Sequence, residues 1–145
     1  MRIATLIALL ACAVPAWGAD APPVALTVTD AWVRATPGSV VAAAYLTLHN
    51  GGRTPLRILG VRSPLAGHVM IHETQLVNGL SVMRAHEPLD IPPGQSVRLA
   101  PGGLHVMLDN LAHPLAPGDA VPLELLLEGG ARVTVSARVR PLNSE

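Results

Sequence analysis

The sequence predicts an all-β protein, built as a two-sheet antiparallel sandwich with Greek-key connections. The main observation is a succession of short apolar segments separated by turn-forming residues, with 13 Gly and 14 Pro in 145 residues. Several segments alternate apolar and polar residues, as residues 132–139 do, which is typical of a strand with one face on a core. Half of the residues are hydrophobic, so a domain of this length can bury a sizeable core.

Nine segments after the N-terminal region have the composition of strands, and none of them shows a convincing helical period. The run Ala42–Ala44 has helix propensity, but the Val, Tyr, Leu and Thr residues around it favour a strand. In chain order, the predicted strands are Val24–Val33, Val40–His49, Leu56–Val61, His68–Gln75, Leu80–Ala85, Ser96–Ala100, Leu104–Asn110, Pro122–Leu127 and Ala131–Val139.

The first 18 residues have the pattern of a signal peptide. Arg2 provides a positive start, residues 3–14 are apolar, and Ala16 and Gly18 are small residues of the kind a signal peptidase requires. The apolar run is shorter than the roughly 20 residues of a transmembrane helix. An alternative is lipoprotein processing at Cys12, which follows Leu-Leu-Ala. We therefore expect a leader at 1–18 and one domain at 19–145.

Charge and cysteine content exclude several function classes. Ten basic residues balance ten acidic ones, and nothing in the sequence resembles the basic footprint of a nucleic-acid-binding protein. The only cysteine is Cys12, which lies inside the expected leader. The exported chain would then have neither a disulfide nor a thiolate ligand.

Methionine and histidine are concentrated in one window of the chain. Thioethers interleaved with imidazoles indicate a site for a soft metal, above all copper. Zinc would prefer Cys, His or carboxylate ligands. The residues in or beside this window are His68, Met70, His72, Met83, His86, His105 and Met107.

Strand geometry groups these side chains in pairs. Asn78-Gly79 is a strong signal for a two-residue hairpin turn, and a hairpin closed there places His72 opposite Ala85. Met83 is then diagonal to His72 on the same face, at roughly 7–8 Å between backbones. His105 and Met107 share one face of another strand because they are two residues apart. Whether the two pairs meet depends on strand order, which the spacing leaves open.

The alternative is that these residues have only structural roles and bind no metal. A Met on a strand is usually core filler, and a lone His is usually a hydrogen-bonded surface or core residue. His49 and His113 are assigned to this alternative, because each lies near a turn without a soft neighbour. His68, Met70 and His86 are intermediate: they could be auxiliary ligands, a capture site at the rim, or neither.

The four remaining residues have a spacing that resembles a family signature. His72, Met83, His105 and Met107 follow H-x10-M-x21-H-x-M, which is similar to the motif of the PCuAC family of periplasmic copper chaperones. Flanking blocks that also resemble this family are residues 30–37, 42–48, 91–94, 99–108 and 117–119.

The resemblance implies a cupredoxin-like or immunoglobulin-like sandwich that holds one Cu(I) through His72, Met83, His105 and Met107. It also implies a periplasmic carrier that transfers copper to a Sco-type protein or to cytochrome c oxidase subunit II, toward the CuA centre. We expect this carrier to be a monomer. An alternative is a copper-scavenging or copper-tolerance protein with the same site and no delivery role.

Two other readings have less support from the residues. An electron-transfer cupredoxin needs a Cys thiolate, which the exported chain lacks. A structural, adhesion-type sandwich without any metal is the other alternative, which titration with a Cu(I) chelator would test. No nucleophile, general base or carboxylate pair accompanies the four residues, so we do not expect an enzyme.

Overall fold

Ten β-strands make up the regular structure of the computed structural model, which describes residues 24–142. This confirms the all-β class predicted from the sequence. No helix in this range is long and apolar enough to span a membrane. The strands are β1 (Leu26–Ala35), β2 (Ala42–Asn50), β3 (Leu56–Arg62), β4 (Ala66–Val77), β5 (Leu80–Ala85), β6 (Leu89–Ile91), β7 (Ser96–Leu99), β8 (Leu104–Leu111), β9 (Ala120–Leu127) and β10 (Arg132–Arg140).

All nine predicted strands are present, with small shifts at their ends. β4 is two residues longer at each end than predicted, since it begins at Ala66 and continues to Val77. The strand that the sequence did not predict is β6, which has three residues and is followed directly by two prolines. Such a short segment is too brief for an alternating pattern to be recognised. The expected leader lies outside the described residues.

Strand order determines which side chains can meet. The hydrogen-bonded path is β5-β4-β8-β2-β1-β10-β9-β3-β6, and β7 pairs with β2 beside this path. The described strands form one continuous hydrogen-bonded path, in which β1 pairs with β10 in parallel and the other pairings are antiparallel. The register of β1 with β2 shifts between Thr29 and Trp32. A bulge of this kind bends a strand and lets it take part in both layers of a sandwich.

The core is aliphatic and follows the two-residue period of the strands. On β9, Val121, Leu123, Leu125 and Leu127 are all buried, and the residues between them are partly exposed. On β4 and β8 the buried residues include Ile71, Val106 and Leu108. The side chains between these core residues point to the opposite face of the sheet. That outer face carries Met70 and His72 on β4 and His105 and Met107 on β8.

One polar side chain is fully buried at the end of β2. The Asn50 amide donates hydrogen bonds to the carbonyl oxygens of Thr54 (2.8 Å) and Ile91 (3.0 Å). Its side-chain oxygen accepts one from the backbone N–H of Gly52 (3.0 Å). Asn50 therefore connects the loop after β2 to β6, and its side chain provides a hydrogen-bond partner for three backbone groups.

Candidate metal centre

The β4–β5 hairpin has the register that the sequence predicted. Asn78 and Gly79 have φ angles of 52° and 78°, the left-handed conformation that a type I′ turn requires. Val77 pairs with Leu80, and His72 pairs with Ala85. Met83 lies opposite Thr74, so it is diagonal to His72 and on the same face.

Strand β8 lies on the other side of β4. The ladder between them pairs His72 with His105 and Met70 with Met107. Directly opposite residues of an antiparallel pair point to the same face. The order β5-β4-β8 therefore brings the two predicted pairs together. His72, Met83, His105 and Met107 share one patch of the outer sheet face, which we call the His–Met patch.

The base of the hairpin is held by the segment that follows β5. The backbone N–H of Ile71 donates to Glu87 Oε1 at 2.9 Å, and the N–H of His86 donates to the Ile71 carbonyl at 2.8 Å. Both bonds are made by the residue immediately before His72. They fix the part of β4 that carries this histidine against the end of β5.

His105 is the most enclosed member of the patch, with 5% of its surface exposed. Its Nδ1 lies 3.0 Å from the carbonyl oxygen of Gly103. A carbonyl can only accept, so Nδ1 carries the hydrogen and Nε2 of the neutral ring carries the lone pair. A hydrogen bond of this type is the usual way to orient a metal-binding imidazole.

His72 lies beside His105, with the ring centroids 5.9 Å apart and the ring planes at 88°. Its Nδ1 is buried and has no hydrogen-bond partner among the described residues. An unpaired buried polar atom costs about 1–3 kcal/mol. A nitrogen left in this state, next to a second imidazole whose Nε2 is free to coordinate, indicates a ligand-binding position.

The methionines are the open part of the patch. Met83 is 55% exposed, and Met107 is partly buried. Met83 lies on β5, the strand at one end of the hydrogen-bonded path, while both histidines lie on strands that are paired on two sides. The patch thus has an enclosed imidazole side and an accessible thioether side.

The structure also places the residues that the sequence left intermediate. Met70 shares the face of the patch and lies directly opposite Met107, with 39% of its surface exposed. His68 shares that face but pairs with Asp109, four residues and about 13 Å along the strand from His72. His86 is engaged elsewhere, with its Nδ1 3.3 Å from Glu73 Oε2.

The two histidines assigned to the structural alternative have other partners. His49 Nδ1 lies 2.9 Å from the Ser96 hydroxyl, and His113 Nδ1 lies 3.1 Å from the carbonyl oxygen of Pro114. Neither belongs to the His–Met patch.

The donor set decides which metals the patch suits. Within residues 24–142, no three His, Cys, Asp or Glu side chains are placed to hold a metal together. A four-ligand site here must therefore use thioethers. Thioether and imidazole together favour Cu(I), whereas zinc and the hard divalent cations prefer thiolate, imidazole or oxygen ligands. The residues of the patch thus fit a soft monovalent ion.

Sequence comparison identifies the family. The profile described as "Putative lipoprotein LpqE-like" matches residues 26–139. The chain belongs to the LpqE-like family. A relative in Leifsonia xyli subsp. xyli (strain CTCB07), named "Putative lipoprotein Lxx21020", is 35% identical over 114 residues, covering 78% of this chain and 68% of the relative.

Solved structures with the same fold include PCuAC domains, as the sequence resemblance suggested. The copper-bound PCuAC domain from PmoF2 is 27% identical, with a TM-score of 0.66 over 80% of this chain and 92% of that domain. The apo PCuAC domain from PmoF1 is 30% identical, with a TM-score of 0.67 over 81% and 95%. The solution structure of CuI-DR1885 from Deinococcus radiodurans is 33% identical, with a TM-score of 0.64 over 88% and 85%. This LpqE-like chain therefore has the cupredoxin-like and immunoglobulin-like sandwich fold of PCuAC domains.

Proposed function

We propose that the protein is a copper chaperone that binds one Cu(I) through His72, Met83, His105 and Met107. The observation that carries this proposal is the order β5-β4-β8, which gathers two imidazoles and two thioethers on one outer face. The similarity to the copper-bound PCuAC domain and to CuI-DR1885 supports copper as the metal.

Each side chain has a distinct part in holding the ion. His105 offers Nε2 because its Nδ1–H is bound to Gly103. Coordination of His72 through Nδ1 would give this buried nitrogen the partner that it lacks. Met83 and Met107 supply neutral sulfur ligands, which need no deprotonation and suit Cu(I) in an oxidising compartment.

The arrangement favours transfer of copper over its permanent retention. Thioethers are weak neutral donors, and Met83 is exposed on an end strand of the path. An incoming thiolate can displace the thioethers one at a time while the enclosed imidazoles still hold the ion. We therefore propose a thiolate-bearing acceptor, namely a Sco-type protein or cytochrome c oxidase subunit II on the way to the CuA centre. The proposed activity is binding and transfer, without catalysis.

The binding site is tested by anaerobic competition with a chromophoric Cu(I) chelator. We expect one equivalent to be retained by the parent protein. Met83→Leu and Met107→Leu should each weaken Cu(I) binding by at least about tenfold, because a ligand is lost. Met70→Leu is the matched control, since it changes a methionine on the same face that is outside the proposed set. Equal losses in Met70→Leu and Met83→Leu would contradict the four-ligand assignment.

The delivery role is tested in cells. Deletion of the gene should lower cytochrome c oxidase activity, and added copper should restore it. The second candidate function is copper scavenging, which would use the same exposed site but would need no acceptor protein. It predicts copper sensitivity of the deletion strain with normal oxidase activity.

We further propose that the chain is exported, as the names of its lipoprotein relatives support. Two routes were expected from the sequence: cleavage after Gly18, or lipidation of Cys12, both outside the described residues. The relatives' names favour lipidation. Mass spectrometry of the processed protein from its own host distinguishes a lipid-modified Cys12 from a free N-terminus at Ala19. If Cys12 is lipidated, Cys12→Ala should remove the protein from the membrane fraction.

A further inference from the structure

The outer sheet face carries a second group of functional side chains, separate from the His–Met patch. Ala43 lies opposite Met107 on β8 and opposite Arg34 on β1, so the same face continues across β2 to β1 and β10. There it contains a cavity of about 240 Å³. Its lining includes Trp32, Arg34, Arg98 and Arg140, and we call it the arginine cavity.

Strand pairing brings the three arginines together from distant parts of the chain. Arg34 and Arg140 are neighbours because β1 and β10 pair in parallel. Arg98 joins them because β7 pairs with β2, opposite Thr47. Two of the three are positioned by an aromatic ring. The guanidinium carbons of Arg34 and Arg140 lie 5.6 Å and 4.9 Å from the centroid of Trp32, within the range of cation–π contact.

The positive charge of this cavity is not balanced by the residues around it. The chain as a whole has ten basic and ten acidic residues, so an excess of arginine in one place is local. Asp30 is the single carboxylate in the lining, against three guanidinium groups. Within residues 24–142, none of the three arginines forms an ion pair, whereas Arg57 and Arg132 pair with Asp90 and Glu124.

The chemistry of the walls indicates what would neutralise this charge. Guanidinium groups present paired N–H donors whose spacing matches the two oxygens of a carboxylate. The rest of the wall is mostly apolar: it consists of Leu46, Leu99, Ala100 and Pro101 beside the Trp32 ring, with Thr47 as its one uncharged polar residue. We propose that the arginine cavity is a binding site for a carboxylate group borne on an apolar carbon chain.

Two sources could provide such a carboxylate group, and the cavity that would bind it lies near the proposed copper site. One is a small organic acid in solution, and the other is a Glu or Asp side chain of a protein that docks on this face. β8 and β1 are separated by β2, so the cavity begins about 10 Å from the strand of His105 and Met107. A protein that docked on the arginine cavity would therefore lie next to the His–Met patch. The carboxylate site itself does not depend on copper binding.

The test is a titration of the copper-free protein, followed by two-dimensional ¹H–¹⁵N NMR at constant ionic strength. The probes are succinate, a blocked triglutamate peptide, and inorganic phosphate, which has the charge but no carbon chain. We expect saturable shifts of the Trp32 indole N–H with both carboxylate probes, and weaker binding of phosphate. Arg98→Gln and Arg140→Gln should each weaken carboxylate binding about tenfold, the size of one charge-assisted contact. Arg53→Gln, an exposed arginine outside the cavity, is the control and should change binding less than about twofold.

Each outcome of this titration has a different meaning for the proposal. Tighter binding of the peptide than of succinate assigns the cavity to an acidic partner protein, and the reverse assigns it to a small organic acid. Absence of a saturable Trp32 shift overturns the proposal, and so does tighter binding of phosphate than of either carboxylate. Equal effects of Arg53→Gln and Arg98→Gln would show charge screening without a site. Because no copper is present, a negative result here leaves the Cu(I) proposal untouched.

Discussion

Replacement of either histidine of the patch by leucine should strongly weaken copper binding, but the two replacements should change stability in opposite directions. His72 has a buried Nδ1 without a partner among the described residues, whereas His105 Nδ1 is bonded to the Gly103 carbonyl. His72→Leu removes the unpaired atom, which costs about 1–3 kcal/mol when buried. His105→Leu removes a hydrogen bond worth about 1 kcal/mol. The Gly103 carbonyl keeps its other bond, from the Thr74 N–H at 3.1 Å.

The difference in the free energy of unfolding between His72→Leu and His105→Leu is more reliable than the value for either variant alone. Both exchange an imidazole for the same isobutyl group, so most of the gain from burying an apolar side chain cancels. With the lower figure for His72, the free energies of unfolding of the copper-free variants should differ by about 2 kcal/mol, with His72→Leu the more stable. Urea denaturation measures this as a shift of the midpoint at constant slope.

Copper affinity is measured on the same samples by chelator competition. We expect each variant to lose more than about 100-fold, since changes to residues that only support ligands already cost about 10–100-fold. Two results would refute the reasoning. If His72→Leu is destabilised as strongly as His105→Leu, the unpaired nitrogen has no energetic meaning, and if either variant keeps parental affinity, that histidine is not a ligand.

Three further predictions concern Met83, Asn50 and Tyr45. Met83→Leu should leave the urea midpoint of the copper-free protein nearly unchanged, because the side chain is 55% exposed and leucine has a similar volume, and a large drop would show a structural role. Asn50→Ala should lower the free energy of unfolding by about 3 kcal/mol, because three buried or partly buried backbone groups lose their partner; a change near zero in the same assay would contradict this. Burial raises the pKa of Tyr45 and the Arg34 charge lowers it, so Arg34→Gln should raise this pKa further, as followed by ultraviolet titration of the chain's single tyrosine. Tyrosine in the unfolded chain ionises near pH 10, whereas folded Tyr45 ionises only at a higher pH. The free energy of unfolding should therefore fall as the pH rises through and above 10.

The sequence predicted the hairpin of the site because its determinants are local. An Asn-Gly turn sets the register of the two strands that it joins, and the two-residue period then determines which side chains share a face. This was sufficient to place Met83 diagonal to His72, as the structure confirms.

The meeting of the two ligand pairs could not be predicted in the same way. β8 is separated from the hairpin by β6 and β7, and its position beside β4 is decided by packing between distant segments. Periodicity says which face of β8 carries His105, but it does not identify the neighbouring strand. The same limit hid the arginine cavity, since Arg34 and Arg140 become neighbours only through the parallel pairing of the first and last strands. The unpaired nitrogen of His72 likewise emerges only when burial is known.

The unequal exposure of the patch has a consequence for chemical damage. Peroxide converts a thioether into a polar sulfoxide, and accessible methionines react first. Met83 is the most exposed of the proposed sulfur ligands, so oxidation should reach it before Met107 and should remove copper binding without unfolding the domain. Because methionine sulfoxide can be reduced enzymatically, this loss is reversible. The accessible thioether side of the patch is therefore also the side that depends on repair.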